Sequence, residues 1–410
     1  MQIKRSVALA ERTEEECQRD TFPADFPNPI DVPAARYTDP EFLALEREYV
    51  LERSWLFVAH SRQLPEPGDF LMLDALDKLG HPIFLVRGRD GVIRAFYNSC
   101  RHRGGPLVDQ PSGSTGRTLV CKYHAWSYDL TGKLLGFPEA KNFPRGAKTT
   151  CPPLPQVDCD TWGSLVFVKL HPGGPGLREY LEPVATELDG LLGEHASEVH
   201  LVDRKELDVA CNWKLPGDGN IETYHVPFVH RDSAALLLDE TRTGQWLLPN
   251  GHSRMLIRFR QPWPADFPIP HFSGDTSVAE LGIYSFHVFP NLSIVLGGPA
   301  TAFLITALPD GTDSCHFVTH FLSPVARSEQ TAGLIDAMTA NNWAVLLEDL
   351  GCMTAAQKSM RCGAADLLRL QYQERRIRYV HEQIDRCIGV ERIPEKLCTP
   401  ALLDRYVEQR

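Results

Sequence analysis

The sequence predicts an α+β chain: an all-β module first, then a larger domain of antiparallel sheet and flanking helices. Three observations carry this. From about Leu64 to Leu170 the apolar residues recur with period two, between turns rich in Gly and Asp. Beyond His171 the stretches RMLIRFRQ, GIYSFHVFP, IVLGG and AFLITALP alternate in the same way. Late in the chain, GLIDAMTANNWAVLLEDLGCMTAAQ and LQYQERRIRYVHEQIDRCI carry apolar residues at helical spacing. Strands grouped apart from helices, rather than alternating with them, mark the α+β class.

Taken in order, residues 1–44 read as an arm, because FPADFPNPIDVPAARY is rich in proline and charge and lacks periodicity. Asp39-Pro40 opens a helix, with Asp as N-cap and proline at the first helical position, and PEFLALEREYVLERSW continues it. The β module is expected over 45–168. DFLMLDAL, PIFLVRGRDGVIRAFY, TLVCKYHAWSYDL and WGSLVFVKL supply its strands, and Asp90-Gly91 is its clearest hairpin signal. His171-Pro-Gly-Gly-Pro-Gly reads as a linker into a domain spanning 169–410, which starts with the helix LREYLEPVATELDGLL and the strand HLVDRKELDVA.

Composition narrows the function. With 410 residues, 43% of them hydrophobic, the chain can bury a large core over two or three domains. A net charge of −11, without any long run of Lys or Arg, argues against nucleic acid or an anionic membrane surface as a partner. Eleven cysteines are too few for a chain this long to be a disulfide scaffold. The start, MQIKRSVALAERTEEECQ, lacks the apolar core of a signal peptide. Prolines interrupt the uncharged run Leu281–Pro309, so no membrane span is expected there. A reducing cytoplasm is the expected home.

The densest chemistry lies between Cys100 and His124, where Cys100-x-His102 is followed by Cys121-x-x-His124. Thiolate with imidazole suits zinc or an iron–sulfur centre and suits magnesium or calcium poorly. These four residues alone leave two readings open: a structural Cys2His2 zinc site, or a two-iron cluster with cysteine on one iron and histidine on the other.

A second group lies in NWKLPGDGNIETYHVPFVH, with Asp218, Glu222, His225 and His230. Two histidines five apart point about 140° away from each other on an unbroken helix. Pro227 is expected to break that helix after His225 and let the chain turn back. Two histidines and a carboxylate form the facial triad of non-haem iron oxygenases. The candidate carboxylate is Asp349, in NNWAVLLEDLGCM, where Leu346, Leu350 and Met353 form an apolar stripe beside it. The competing reading makes Glu348-Asp349 a solvated pair on the outer face of that helix.

Together these residues resemble the large (α) subunit of a Rieske non-haem iron ring-hydroxylating oxygenase over roughly 40–365. The resemblance rests on Cys100-x-His102-Arg103-Gly104 with Cys121-x-Tyr123-His124-x-Trp126, on Asn212-Trp213-Lys214 followed by Glu222-x-Tyr224-His225-x4-His230, and on Glu348-Asp349 with Gln357 downstream. It implies a Rieske domain followed by a helix-grip catalytic domain. By that similarity Cys100 and Cys121 hold one iron of a [2Fe–2S] cluster and His102 and His124 the other, while His225, His230 and Asp349 bind Fe(II). Glu222 matches the acid that, in the family's trimer, links an iron-ligating histidine to a cluster histidine of the neighbouring subunit, here His124. Two features depart from the pattern. The family's Glu/Asp-Asn pair reads Asp218-Gly219, leaving Asp218 a supporting role, and the spacer from His102 to Cys121 is slightly long.

The activity implied is that of a terminal oxygenase. It uses O2 and electrons from NAD(P)H, delivered by a reductase with or without a separate ferredoxin, to mono- or cis-dihydroxylate an aromatic or other hydrophobic ring. A homotrimer, with or without a small β subunit, is the implied assembly. The alternative within the family is oxidative N- or O-demethylation of a quaternary ammonium or methoxy compound, for which Trp263, Tyr284 and Phe286 are candidate members of an aromatic cage. Arg254, Arg258 and Arg260 share one strand face, which is expected to be a solvated edge or to meet a substrate carboxylate.

Overall fold

The computed structural model describes residues 11–18, 21–192, 199–261, 268–269, 282–297 and 302–408. It contains two compact units: Trp55–Leu177, and a larger one made of residues 1–54 with 178–410.

The smaller unit is built on a seven-stranded antiparallel sheet. Its order is Leu56–His60, Leu165–Lys169, Gln156–Trp162, Ile93–Tyr97, Ile83–Arg87, Asp69–Met72 and Ser112–Ser114. The Asp90-Gly91 signal is borne out: Ile83–Arg87 pairs with Ile93–Tyr97, and Gly91 takes a φ of 79° that a side chain would resist. A three-stranded sheet, Leu119–Val120, Ser127–Tyr128 and Leu134–Gly136, completes the unit. Phe84, Phe96, Leu107, Leu119, Trp126 and Tyr128 pack with Cys100 and Cys121 into one core. Both cysteines are thus enclosed by apolar side chains.

The larger unit holds a second seven-stranded antiparallel sheet, in the order His200–Val209, Ser314–Ser323, Ala302–Gly311, Leu292–Leu296, Gly282–Val288, Ser253–Phe259 and Leu238–Leu247. Its last six strands run as a meander, and His200–Val209 returns to pair with Ser314–Ser323. Two strands carry no clear signal in the sequence; the charged start of LDETRTGQWL hides the first. The helices Ala332–Arg361 and Arg375–Ile388 form where the periodicity places them. No described helix is long and apolar enough to cross a membrane.

The N-terminal segment differs from expectation. Phe26, Ile30, Val32 and Tyr37 are buried, and Val32–Pro33 pairs with Leu367–Leu368. Residues 21–54 therefore belong to the core of the larger unit rather than forming an arm, and the smaller unit begins at 55 instead of 45 and ends at 177 instead of 168. Asp39 caps its helix as expected, accepting from the backbone N–H of Glu41 and Phe42. That helix then carries Glu46 into the core against Lys214 and Trp213. Local pattern did not show this, because the partners lie more than a hundred residues away.

Candidate metal centres

In the smaller unit, two tight turns bring four side chains together. Cys100 closes one: its carbonyl accepts from Gly104 N–H, and its N–H donates to Gly105 O. Cys121 closes the other in the same manner with Ala125 and Trp126, between two short strands. The turns pack so closely that a Cβ on Gly105 would stand 3.0 Å from Cys121 Sγ. His102 Nδ1 and His124 Nδ1 face each other at 3.2 Å, and the His102 ring stacks on Trp126 at 4.9 Å. Tyr128 Oη accepts from Arg101 N–H, which leaves its own proton for Cys100 Sγ, 3.1 Å away. Burial pushes the Cys100 thiol up, so a bound cation is needed to hold it as thiolate. Two buried sulfurs on one side and two facing imidazole nitrogens on the other suit a cluster with unlike irons.

In the larger unit, two neighbouring histidines converge with an aspartate more than a hundred residues away. His225 Nε2 lies 3.4 Å from Asp349 Oδ1, and His230 Nε2 lies 2.9 Å from the same oxygen. Their ligand atoms all fall within 4.8 Å of one another. Pro227 does not act as the sequence suggested. It sits in a single helical turn, Val226–Val229, with His225 at its N-cap and His230 at its C-cap. Proline suits a first turn, and the histidines flank that turn instead of riding a broken helix. Their rings stand 5.1 Å apart at 75°.

Each imidazole is fixed through its other nitrogen. His225 Nδ1 hydrogen-bonds Glu222 Oε1, while Glu222 Oε2 accepts from the backbone N–H of Tyr224 and His225. His230 Nδ1 donates to Glu348 Oε2 at 2.7 Å, which also accepts from Ser233 Oγ. The sequence reading missed this use of Glu348, whose only signal was adjacency to Asp349. The pair is not solvated as a unit: Asp349 is buried and Glu348 reaches back to His230. Burial pushes both imidazoles down, but Glu222 on His225 and Asp349 on His230 outweigh it and raise them above the ordinary histidine value. Asp349 at the two Nε2 atoms, with Glu222 and Glu348 behind the imidazoles, thus makes a site that attracts a cation, and its donor set fits non-haem iron.

A cavity of about 430 Å³ reaches these residues. The sheet contributes Met255, Ile257, Phe259, Ile283 and Phe303, and the long helix contributes Leu346. Its remaining polar lining is amide and hydroxyl, from Asn220, Ser285, Asn341 and Asn342; no Lys or Arg lines it among the described residues. Two expectations are corrected here, for the aromatic cage and for the arginines. Tyr284 and Phe286 are buried on the opposite strand face from Ile283 and Ser285, so they do not line the cavity. Trp263 lies outside the described residues. Arg254, Arg258 and Arg260 also face away: Arg254 is buried against Glu187 and Glu408, and the other two meet Glu14 and Glu240. Arg254 and Arg258 sit on an interior strand rather than an edge, Arg260 is exposed just past its end, and none of the three is a substrate clamp. Asp218 does not line this cavity; its carboxylate is buried against Tyr37, and burial pushes it up to about 7.

Two family models match the chain: the Rieske [2Fe–2S] domain over 54–156, and the ring hydroxylating alpha subunit (catalytic domain) over 196–390. The chain belongs to the large-subunit family of Rieske oxygenases. Its cofactors are accordingly a [2Fe–2S] cluster and a non-haem iron. Among Rieske oxygenase relatives, the glycine betaine monooxygenase oxygenase subunit of Chromohalobacter salexigens is 32% identical over 57% of this chain and 50% of its own. The 2-aminobenzenesulfonate 2,3-dioxygenase subunit alpha of Alcaligenes sp. is 30% identical over 53% of this chain and 55% of its own. The chain thus spans about half the length of the curated relatives it matches. In fold it is similar to a quaternary ammonium Rieske monooxygenase (TM-score 0.74, 22% identity, 90% of this chain and 99% of the other). It is equally similar to naphthalene 1,2-dioxygenase from Rhodococcus sp. (TM-score 0.72, 22% identity, 94% and 99%).

Proposed function

We propose that this chain is the terminal oxygenase of a Rieske system and hydroxylates an aromatic or other hydrophobic ring. The observation that carries this reading is the apolar cavity ending at His225, His230 and Asp349. A cavity of about 430 Å³ admits a small ring system, and apart from Glu222, Asp349 and the two histidines at its iron end its described lining is uncharged, with no Lys or Arg to meet an anionic group.

In this reading Cys100, His102, Cys121 and His124 hold the cluster, and His225, His230 and Asp349 hold the iron. When bound, these groups supply the one-electron and O2 chemistry that no side chain performs. The protein's part is geometric. Glu222 and Glu348 fix the tautomer of each histidine so that Nε2 is free to ligate. The sheet and long helix exclude water and hold the ring beside the site. Glu222 is also the proposed link to His124 of a neighbouring copy in a homotrimer, and the exposed rings of Tyr224 and Phe228 beside it support an interface there. NAD(P)H is the proposed electron source, through a reductase with or without a ferredoxin or a β subunit, in the cytoplasm.

The second reading, oxidative demethylation of a quaternary ammonium compound, is favoured by the glycine betaine relative. Against it stands the lining, whose described aromatic members are Phe259 and Phe303 alone, too few for a cage. The deciding experiment supplies a reductase and NADH with a panel of aromatic, methoxy and quaternary ammonium compounds, and follows product together with O2 uptake. Coupled product from neutral rings is expected; product from ammonium compounds alone would overturn the lead reading. A content of about three iron atoms per chain is expected, against two for a mere electron carrier.

A further inference from the structure

The two halves of the iron site come from different elements. His225 and His230 follow the helix Lys214–Asn220, whereas Asp349 rides the long helix Ala332–Arg361. Something must hold these elements at the spacing that brings the three ligand atoms together. Away from the cavity, Tyr37 is bonded to both segments.

It uses its backbone for one part of the link and its hydroxyl for the other. Its backbone carbonyl accepts from Asn212 Nδ2 at 3.1 Å and from Gln357 Nε2 at 3.2 Å. Gln357 Oε1 in turn accepts from Asn212 N–H at 3.0 Å, closing a three-way junction. Gln357 lies eight residues beyond Asp349 on the same helix, about 12 Å along its axis. The Tyr37 hydroxyl donates to Asp218 Oδ2 at 2.7 Å, inside the helix that leads to Glu222 and His225.

The hydroxyl is itself held from behind in one direction only. Arg36 Nε–H donates to His381 Nδ1 at 3.0 Å, so that nitrogen is the acceptor and Nε2 bears the proton. His381 Nε2–H therefore donates to Tyr37 Oη at 2.7 Å, and Tyr37 has only its own proton left to give, to Asp218. Arg36 is anchored by Asp385 at 2.6 Å. Arg36, Tyr37, Asp218 and His381 are all buried, so water does not compete for these bonds. The helix they hold packs directly on the long one, where Gly219 leaves room for the end of the Met353 side chain.

We infer that Tyr37 is a positioning residue for the mononuclear site: its hydroxyl, oriented by His381 and received by Asp218, sets the distance between the histidine pair and Asp349. This gives Asp218 a role although it touches neither the cavity nor the ligands. The inference rests on the reading that His225, His230 and Asp349 bind the metal, and the test separates the two.

The test uses the full chain with its cluster oxidised, its mononuclear iron removed by a chelator and cobalt(II) added back. Equilibrium dialysis gives the affinity, and the EPR spectrum of high-spin cobalt reports ligand geometry. Wild type taking up one cobalt and Asp349→Ala taking up none would uphold the ligand reading. Tyr37→Phe, which leaves the backbone junction intact, is expected to bind cobalt at least ~10-fold more weakly with shifted g values, while the cluster absorbance persists. Asp218→Ala should reproduce this, and the double variant should be no worse than either, because one chain of bonds is being cut. Asp218→Asn, whose amide oxygen still accepts from Tyr37, should recover most of the affinity. Wild-type affinity and spectrum in the folded Tyr37→Phe protein would overturn the inference and leave the ligands standing, even if its melting temperature falls. If wild type takes up no cobalt, the ligand reading falls first and this inference with it.

Discussion

The two metal centres are assembled in opposite ways. In the smaller unit all four candidate ligands lie within Cys100–His124, on two turns closed by their own backbone hydrogen bonds. In the larger unit the candidates are His225 and His230, five residues apart, and Asp349, more than a hundred residues further on, and Glu348 of the late helix holds His230. A centre built from local turns is visible as a motif. One built from packing shows its ligands only as isolated residues, and its supports hardly at all.

Breaking one centre at a time tests this separation. The largest effect is expected from Asp349→Ala, which should abolish turnover and mononuclear iron while leaving the visible spectrum of the cluster unchanged. Retained activity would remove Asp349 from the ligand set. Glu222→Gln should keep both metals yet cripple transfer between them, so the cluster would fail to reoxidise in a single turnover; wild-type reoxidation would refute the link. Glu348→Gln weakens the hold on His230 and should cost roughly 10- to 100-fold in iron affinity or rate. If it costs nothing, Glu348 is a surface acid.

Protons distinguish the larger unit in another way. Burial drives His252 down to about 4 and His287 down to about 3. His252 donates Nε2–H to Tyr180 O and accepts Phe289 N–H at Nδ1, so protonation at Nδ1 would break that second bond. Neither ring nitrogen of His287 has a partner among the described residues. Their depressed folded values mean that stability is full above the unfolded pKa near 6.5 and is lost as pH falls toward about 4. For His252 the loss is roughly 2 kcal/mol at pH 5. Melting curves at pH 7.5 and pH 5 should show the larger unit's transition moving down, and His252→Gln should reduce that movement. An unchanged pH dependence in the variant would rule out His252 as the cause.

The smallest expected effect belongs to the local centre. Tyr128→Phe removes the hydroxyl proton aimed at Cys100 Sγ and should lower the cluster's reduction potential, by the worth of one hydrogen bond of about 1 kcal/mol. Protein-film voltammetry reads this directly, and a potential that stays or rises would show that the bond does not reach the cluster.

What could be read without coordinates follows the same division. The α+β class, both sheets in outline, the late helices and the four-residue cluster motif were legible, because strand period, helix period and turn spacing act over a few residues. His225, His230 and Asp349 were legible as candidates through resemblance. Glu348 was not, because an acid beside a ligand looks like any surface acid until His230 is seen against it. Nor was Tyr37, in a proline-rich segment that has no periodicity of its own and is ordered by the larger unit.

The sequence by itself determined which residue types were available, the turns that gather Cys100, His102, Cys121 and His124, and the family. The tertiary structure alone decided which strand face lines the cavity, that the arginines of Ser253–Phe259 turn away from it, and that residues 21–54 belong to the core. The reason is physical: hydrogen bonds within a turn are set by neighbours in the chain, while the cavity and its supports depend on contacts that exist only after distant segments have packed.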